Sequence, residues 1–346
     1  MPLTTTTIGS YPKPDYVPVA NPFDLARGEW RPTRSGEQTA AAAGDELERA
    51  VREVVAEQAS IGIDVPTDGE IRRENYIYHH CRHLTGFDFG QLTEQVMREG
   101  GWRAGVPTVT GPIAAQEPFL ELEWRSAQAG TSRPVKMTVP GPLTIMASTA
   151  DAFYGDERRQ AADLADALNV EIRRLAAAGC RWIQVDEPVF AREPEKALAF
   201  GIELLGRCFH GLPADVHRVV HICCGYPSGV DVEGYPKADP ESYFLLADEL
   251  EAAPIDAVSI EDAHRRNDLA LLERFSRTVV ILGLVDIARS RVETVTEMRK
   301  RLDAALGHID GHRLIAAPDC GLTMLSRETA RAKLTNLVAA ARSVAA

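Results

Sequence analysis

The segment VVHICCGYP, residues 219–227, closes a β-branched run with an imidazole and two thiols. On a strand, side chains two apart point to one face, so His221 and Cys223 can converge on one ion while Cys224 turns away. Imidazole nitrogen with thiolate sulfur is a donor set for zinc. Two ligands do not complete a zinc site. Glu261 and Cys320, each at the end of its own apolar run, are the best-placed candidates for the rest. A zinc bound by one imidazole, two thiolates and a carboxylate carries a formal charge of about −1. It is a poor Lewis acid for water, but it can hold a substrate thiol as a nucleophilic thiolate at neutral pH. The natural chemistry of such a centre is alkyl transfer to sulfur.

The elements that must position these residues are legible as an alternation. Apolar runs at 4–9, 63–69, 135–141, 182–188, 218–224, 256–261, 278–286 and 313–321 read as strands. Between most of them lie Ala/Leu/Glu/Arg-rich segments of helical period, such as GDELERAVREVVAEQA and RETARAKLTNLVAAARSV. About eight strands alternating with helices predict an α/β fold, a (β/α)₈ TIM barrel with long insertions in the first βα loops, spanning residues 1–346 as a single domain. A doubly wound open sheet is the alternative. The first βα loop (10–36) is Pro-rich and the second (71–134) is very long; loops of that length shape binding sites.

In such a barrel the chemistry sits at the C-terminal ends of the strands. Polar residues collect there: Gly9-Ser10, Asp68-Gly69-Glu70, Asp186-Glu187, His221 with Cys223, Glu261-Asp262, Asp286 and Asp319-Cys320-Gly321. Singly, each acid could be a helix cap and each Cys a small core residue, as Cys180, Cys208 and Cys224 are expected to be. Composition excludes other classes. Thirty-eight basic against fifty acidic residues give a net charge of −12, with no basic block or aromatic stripe for nucleic acid and no apolar run long enough for a membrane span. The start MPLTTTTIGSYP lacks the order of a secretory signal, so a cytoplasmic location and reduced cysteines are expected. A small-molecule partner follows.

The motifs TTTIGSYP, GIDVPTDGE, VPGPLTI, IQVDEP, HICC, SIED and APDCG resemble, in order, the strand-end motifs of the C-terminal catalytic barrel of cobalamin-independent methionine synthase, in its short, core-only form. The similarity covers essentially the whole chain. It implies a zinc-dependent methyltransferase acting on homocysteine, with His221, Cys223, Glu261 and Cys320 as zinc ligands. It also implies that Ile8, Gly9 and Ser10, with Glu70 and Asp186, cradle the amino-acid end of that thiol. Two carboxylates suit an ammonium, while a hydroxyl and backbone N–H groups suit a carboxylate. In the resulting scheme Glu261 leaves the metal to admit the thiol, and Asp186 fixes the acceptor.

The departures concern the methyl donor. Where the family carries a proton-donating histidine this chain has Ala288, and where it carries a folate-associated tryptophan this chain has Ser148. The methyl donor is therefore left open among folate, a corrinoid and another partner protein. His264 is a stand-in acid if it is not simply a capping or surface residue. The segment GYPSGVDVEGYPKADPESYF reads as an ordered lid or a surface loop, and NYIYHHCRH (75–83) as pocket-entrance residues rather than a second metal site. Three other functions compete. An epoxyalkane:coenzyme M transferase would share the zinc chemistry but has no use for Glu70 and Asp186. A purely structural zinc is unneeded in a chain this long. The uroporphyrinogen decarboxylase and corrinoid methyltransferase barrels share only the architecture.

Overall fold

The computed structural model describes residues 2–17, 44–97, 102–227 and 229–344. Most of the Pro-rich first loop, 18–36, lies outside them. The strands are β1 (Thr4–Thr5), β2 (Phe87–Met97), β3 (Trp102–Val109), β4 (Lys136–Pro140), β5 (Ala150–Asp151), β6 (Trp182–Asp186), β7 (His217–Ile222), β8 (Ala257–Ile260), β9 (Val279–Val285) and β10 (Leu314–Pro318). Seven of them form one curled parallel sheet in the order β1-β10-β9-β8-β7-β6-β4.

The run 63–69, expected as the second strand, does not form one. Pro66 in its centre has no N–H to give to a ladder, so only isolated bridges remain: Thr6 with Val65, Ser10 with Gly69, and Thr67 with Lys136. Side chains take over the missing bonds. The Thr67 hydroxyl donates to the Gly9 carbonyl (2.6 Å), and the Thr67 N–H donates to the Thr7 hydroxyl (3.1 Å).

The strands are buried on both faces, as parallel strands flanked by helices must be. Val220, Ile222, Val258 and Ile260 face the main core under the helices, whereas Ile8, Val219, Ala257, Ile281, Ile315 and Ala317 make a separate small cluster on the inner face. Each such side chain removed from water contributes about 1.5–3 kcal/mol at most. Helix ends carry their own signals. Asp156 caps Glu157–Ala178 by accepting from the N–H groups of Arg158 and Arg159, and Thr294 with Glu297 makes a reciprocal capping box on Val295–Ala305.

The stretch 71–134 is folded rather than a bare loop. It holds the helix Tyr76–Arg82, the antiparallel pair β2–β3 and the helix Leu120–Gln128. Asn75 caps the first helix by accepting from the N–H groups of Ile77 and Tyr78, a start signal hidden within a histidine-rich run.

Candidate functional site

Parallel register decides which side chains meet. Asp186 on β6, His221 on β7 and Ser259 on β8 are successive cross-strand partners and therefore form one row on the inner face. Below that row the same face is apolar, with Val219 and Ala257; above it come Cys223 and Glu261, two residues further on and just past the ends of β7 and β8. Cys320, just past β10, approaches from the side. The ligand atoms of His221, Cys223 and Cys320 all lie within 4.8 Å of one another. Cys223 and His221 are buried and Cys320 is half-buried. Cys224, Cys180 and Cys208 sit in the main core, as expected for small buried side chains.

Two observations show that the cluster fits a metal. The His221 Nδ1 is engaged with the Ser259 hydroxyl at 3.0 Å, which fixes the ring and leaves Nε2 buried with no hydrogen-bond partner. Glu261 Oε1 is likewise buried and unpartnered. Buried polar atoms without partners are expensive, and a cation among them removes the cost. The two thiols behave as a pair. A hydrogen bond from Cys320 is the chief cause that holds the Cys223 thiol far below its ordinary value, aided by His221, while Cys320 is pushed up in return. One thiolate is thus favoured before any metal arrives.

Glu261 itself is not among the three converging ligands. Its Oε2 pairs with Lys237 Nζ, both side chains being almost fully buried. Its backbone N–H donates to the Tyr243 hydroxyl at 3.1 Å.

Next to the thiols lies a second polar group. Asp186 is buried and Glu70 nearly so; burial is the chief cause that raises both carboxyls, with Glu70 adding to the rise of Asp186, to about 7, and Asp68 adding to that of Glu70. Glu70 adopts a left-handed backbone (φ 54°), unusual for a residue with a side chain and common at functional sites. Its Oε1 accepts from the Thr138 hydroxyl at 2.8 Å, with Arg73 Nη1 at 3.5 Å. Gln184 ties this group to the first strand: its amide donates to both the Ile8 carbonyl (2.9 Å) and Asp186 Oδ1 (2.7 Å). Gly9 and Gly321 are required by close approach. A Cβ on Gly9 would sit 2.6 Å from Glu70 Oε1, and one on Gly321 would sit 2.2 Å from Ser10 Oγ. The Tyr76 hydroxyl, buried and within reach of the charges of Asp186, Cys223, Cys320 and Glu70, joins the two groups.

Arg73, Gln184, Lys237 and Ser259 were not singled out by sequence, whereas Tyr76 lies in the 75–83 segment read as lining the pocket entrance. Gln184 and Ser259 carried a signal, since each stands two residues before an expected site residue on the same strand face. Arg73 and Lys237 come from irregular segments and carried none.

Ala288 is buried and its N–H donates to Asp286 Oδ1, while the Ser148 carbonyl accepts from the Tyr78 hydroxyl and the Ser148 N–H donates to the Ile145 carbonyl. His264 Nδ1 lies 3.3 Å from the same Asp286, beside the Tyr235 ring. In the 75–83 segment His79 Nε2 bonds Glu123 at 2.8 Å and His80 Nδ1 bonds the Tyr76 carbonyl, while His80 Nε2 is buried without a hydrogen-bond partner. Among the described residues the His221 cluster is the one group of metal-ligand character.

A curled parallel sheet with a His/Cys/Cys cluster and an acid pair at its strand ends is the arrangement of an α/β enzyme. The chain belongs to the cobalamin-independent synthase family, through its catalytic domain, whose model matches residues 3–201 and 239–343. The unmatched interval 202–238 carries His221, Cys223 and Lys237. Methionine synthases of Sulfolobus acidocaldarius (30% identical, covering 97% of this chain and 90% of that one) and Thermococcus kodakarensis (28%, 97% and 91%) are similar over nearly their whole length. The solved B12-independent methionine synthase of Shewanella sp. W3-18-1, in complex with selenomethionine, is 30% identical with a TM-score of 0.85, covering 99% of this chain and 97% of that one. A Listeria monocytogenes structure at 21% identity and TM-score 0.71, covering 98% and 97%, shares the fold.

Proposed function

We propose that this protein transfers a methyl group to the thiolate of homocysteine, giving methionine, within one domain spanning residues 1–346. The isolated bridges of 65–69 to β1 on one side and to β4 on the other support closure of the sheet into a (β/α)₈ barrel. The observation that carries the function is the juxtaposition of the His221–Cys223–Cys320 cluster with the Glu70–Asp186 pair across Tyr76. One group suits a thiol sulfur and the other suits the ammonium at the far end of the same amino acid. The selenomethionine in the Shewanella structure, a selenium analogue of the product, accords with this reading.

His221, Cys223 and Cys320, with Glu261, would hold zinc, which when bound keeps the acceptor sulfur ionised at neutral pH. Glu70 and Asp186 take the ammonium, and Ile8, Gly9 and Ser10 take the carboxylate. The Ser259 hydroxyl fixes the His221 ring so that only Nε2 is free. With both ends held, the sulfur is oriented toward the methyl carbon, and positioning of this kind supplies much of the rate. The new bond is carbon to sulfur; the bond from methyl to donor breaks, and its electron pair leaves with the donor. Ala288 and Ser148 remove the acid and the aromatic that a folate amine would need. These two positions weaken the case for methylfolate, and the donor is left among folate, a corrinoid and another partner protein.

No helix among the described residues is long and apolar enough to cross a membrane, in keeping with a cytoplasmic enzyme. The test is titration of cobalt-substituted protein with L-homocysteine, following the sulfur-to-cobalt charge-transfer bands. A saturable change supports the reading. Intact thiolate bands that ignore homocysteine but respond to coenzyme M would overturn it.

A further inference from the structure

Lys237 has no place in the scheme above, yet it makes the closest polar contact to a candidate ligand. It lies on the irregular segment after β7, outside the residues matched by the family model. Its ammonium pairs with Glu261 Oε2, with 8% and 4% of the two side chains exposed. The backbone is pinned at the next residue, Ala238, through both its polar groups. The Ala238 N–H donates to the Cys224 carbonyl (2.8 Å), and the Ala238 carbonyl accepts from Arg265 (2.6 Å). The Tyr235 ring lies 5.3 Å from the ammonium, a second stabilising contact. The other acid within its field, Asp319, is occupied by three backbone N–H groups of 262–264. Glu261 is therefore the carboxylate that this lysine serves. As the lysine holds it, Glu261 stays outside the 4.8 Å cluster of His221, Cys223 and Cys320, with Oε1 free.

Resting on the zinc-thiol reading, we infer that Lys237 is a positioning residue that makes Glu261 a weak, displaceable metal ligand and receives its carboxylate when the substrate thiol takes the vacated position. Two physical points carry this. Outer partners that are carboxylates or carbonyls raise the donor strength of a ligand, whereas an ammonium withdraws it, because cation and metal compete for the same anion. A released carboxylate buried without a partner would also be costly, and the standing ion pair removes that cost in advance. The two thiolates, by contrast, have no cation of this kind bonded to them and stay as permanent ligands. Ligand exchange is thereby confined to one position.

The test uses the full-length protein in four forms: wild type, Lys237→Met, Lys237→Arg, and Lys237→Met combined with Glu261→Gln. Zinc retention is measured by competition with a chromophoric chelator, and L-homocysteine binding by the cobalt charge-transfer bands. Lys237→Met should tighten zinc about tenfold and weaken homocysteine about tenfold, at the low end of what outer partners of metal ligands contribute. Lys237→Arg should restore both toward wild type. The double variant, which removes both charges and so checks for misfolding, should abolish the zinc gain and bind homocysteine at least as well as Lys237→Met. If Lys237→Met loses zinc, or leaves both affinities unchanged, the inference is overturned. Absence of thiolate bands in the wild type would instead remove the zinc-thiol reading on which it stands.

Discussion

Glu261 and Asp262 are neighbours in the chain, and their carboxylates live in opposite conditions. Asp262, fully buried, accepts from Arg301 Nε (2.6 Å) and Nη2 (2.7 Å) and from the Asn267 N–H (2.8 Å). Glu261 has one oxygen on Lys237 and the other on nothing. The same division recurs around the rim. Glu187 accepts from the N–H groups of Leu143 and Thr144 and from the Thr144 hydroxyl, and Asp319 from three consecutive N–H groups, while His221 keeps a bare Nε2. Sequence alone groups all these strand-end residues as one polar rim. The structure separates acids whose hydrogen bonds are complete, which hold loops, from side chains whose bonding is incomplete, which are available to a ligand. A polar residue beside a site is functional in proportion to what it lacks.

Substitutions on the two sides of this division should fail in different ways. The largest effect is expected for Cys320→Ser. Losing a direct ligand should cost more zinc affinity than the roughly 10–100-fold lost with an outer partner, and methyl transfer with it, while circular dichroism and the melting temperature of the metal-free protein stay near wild type. Full zinc content by metal analysis would refute the ligand assignment. Asp262→Ala should do the reverse. Stranding the Arg301 guanidinium should cost about 3–5 kcal/mol in denaturant unfolding, and protein that remains folded should still take up zinc.

Next in size, Asp186→Asn should weaken L-homocysteine by about 10–100-fold, or ~1.4–2.7 kcal/mol, with zinc stoichiometry unchanged in the same cobalt titration. The smallest effect tests the ion pair that ties the histidine-rich helix to its neighbour, His79 with Glu123. Burial disfavours charge on His79, yet Glu123 outweighs it and holds the imidazole up at about 9 from 6.5; burial likewise opposes ionised Glu123, but His79 holds that carboxyl down to about 2 from 4.5. A raised His value gives stability present below 6.5 and lost as pH rises through about 9. A lowered Glu value gives stability present above 4.5 and lost as pH falls through about 2. The melting-temperature gap between wild type and Glu123→Gln should therefore be widest between those ordinary values, pH 4.5 and 6.5, and close above about 9. A gap that does not vary with pH would separate this pair from the folded core's energetics.

Continuous apolar runs made seven of the sheet's strands readable, because strands buried on both faces are apolar throughout, and the period of two within a strand made the His221–Cys223 pair readable. The run 63–69 carried the same apolar signature, and one proline overrode it. The pair β2–β3 was masked by its length and by glycine and proline within it. Lys237 and Arg73 could not be read because irregular backbone has no period to say where a side chain points. That Glu261 is drawn to Lys237 depends on a residue 24 positions away meeting it in space.

Residues 65–69 meet the neighbours of β1 and the edge strand β4 along a seam of isolated bridges rather than a ladder. Segments with few backbone bonds open at lower free energy than those in regular sheet, so amide hydrogens here should exchange through local fluctuations rather than global unfolding. Glu70 immediately follows that seam, and Asp186 stands on β6, beyond β4. An amino acid gripped by both carboxylates would staple the loosest stretch to the firm part of the sheet. Occupancy of the site would then be written as slowed deuterium uptake in 65–69, a record of substrate that needs no turnover to read.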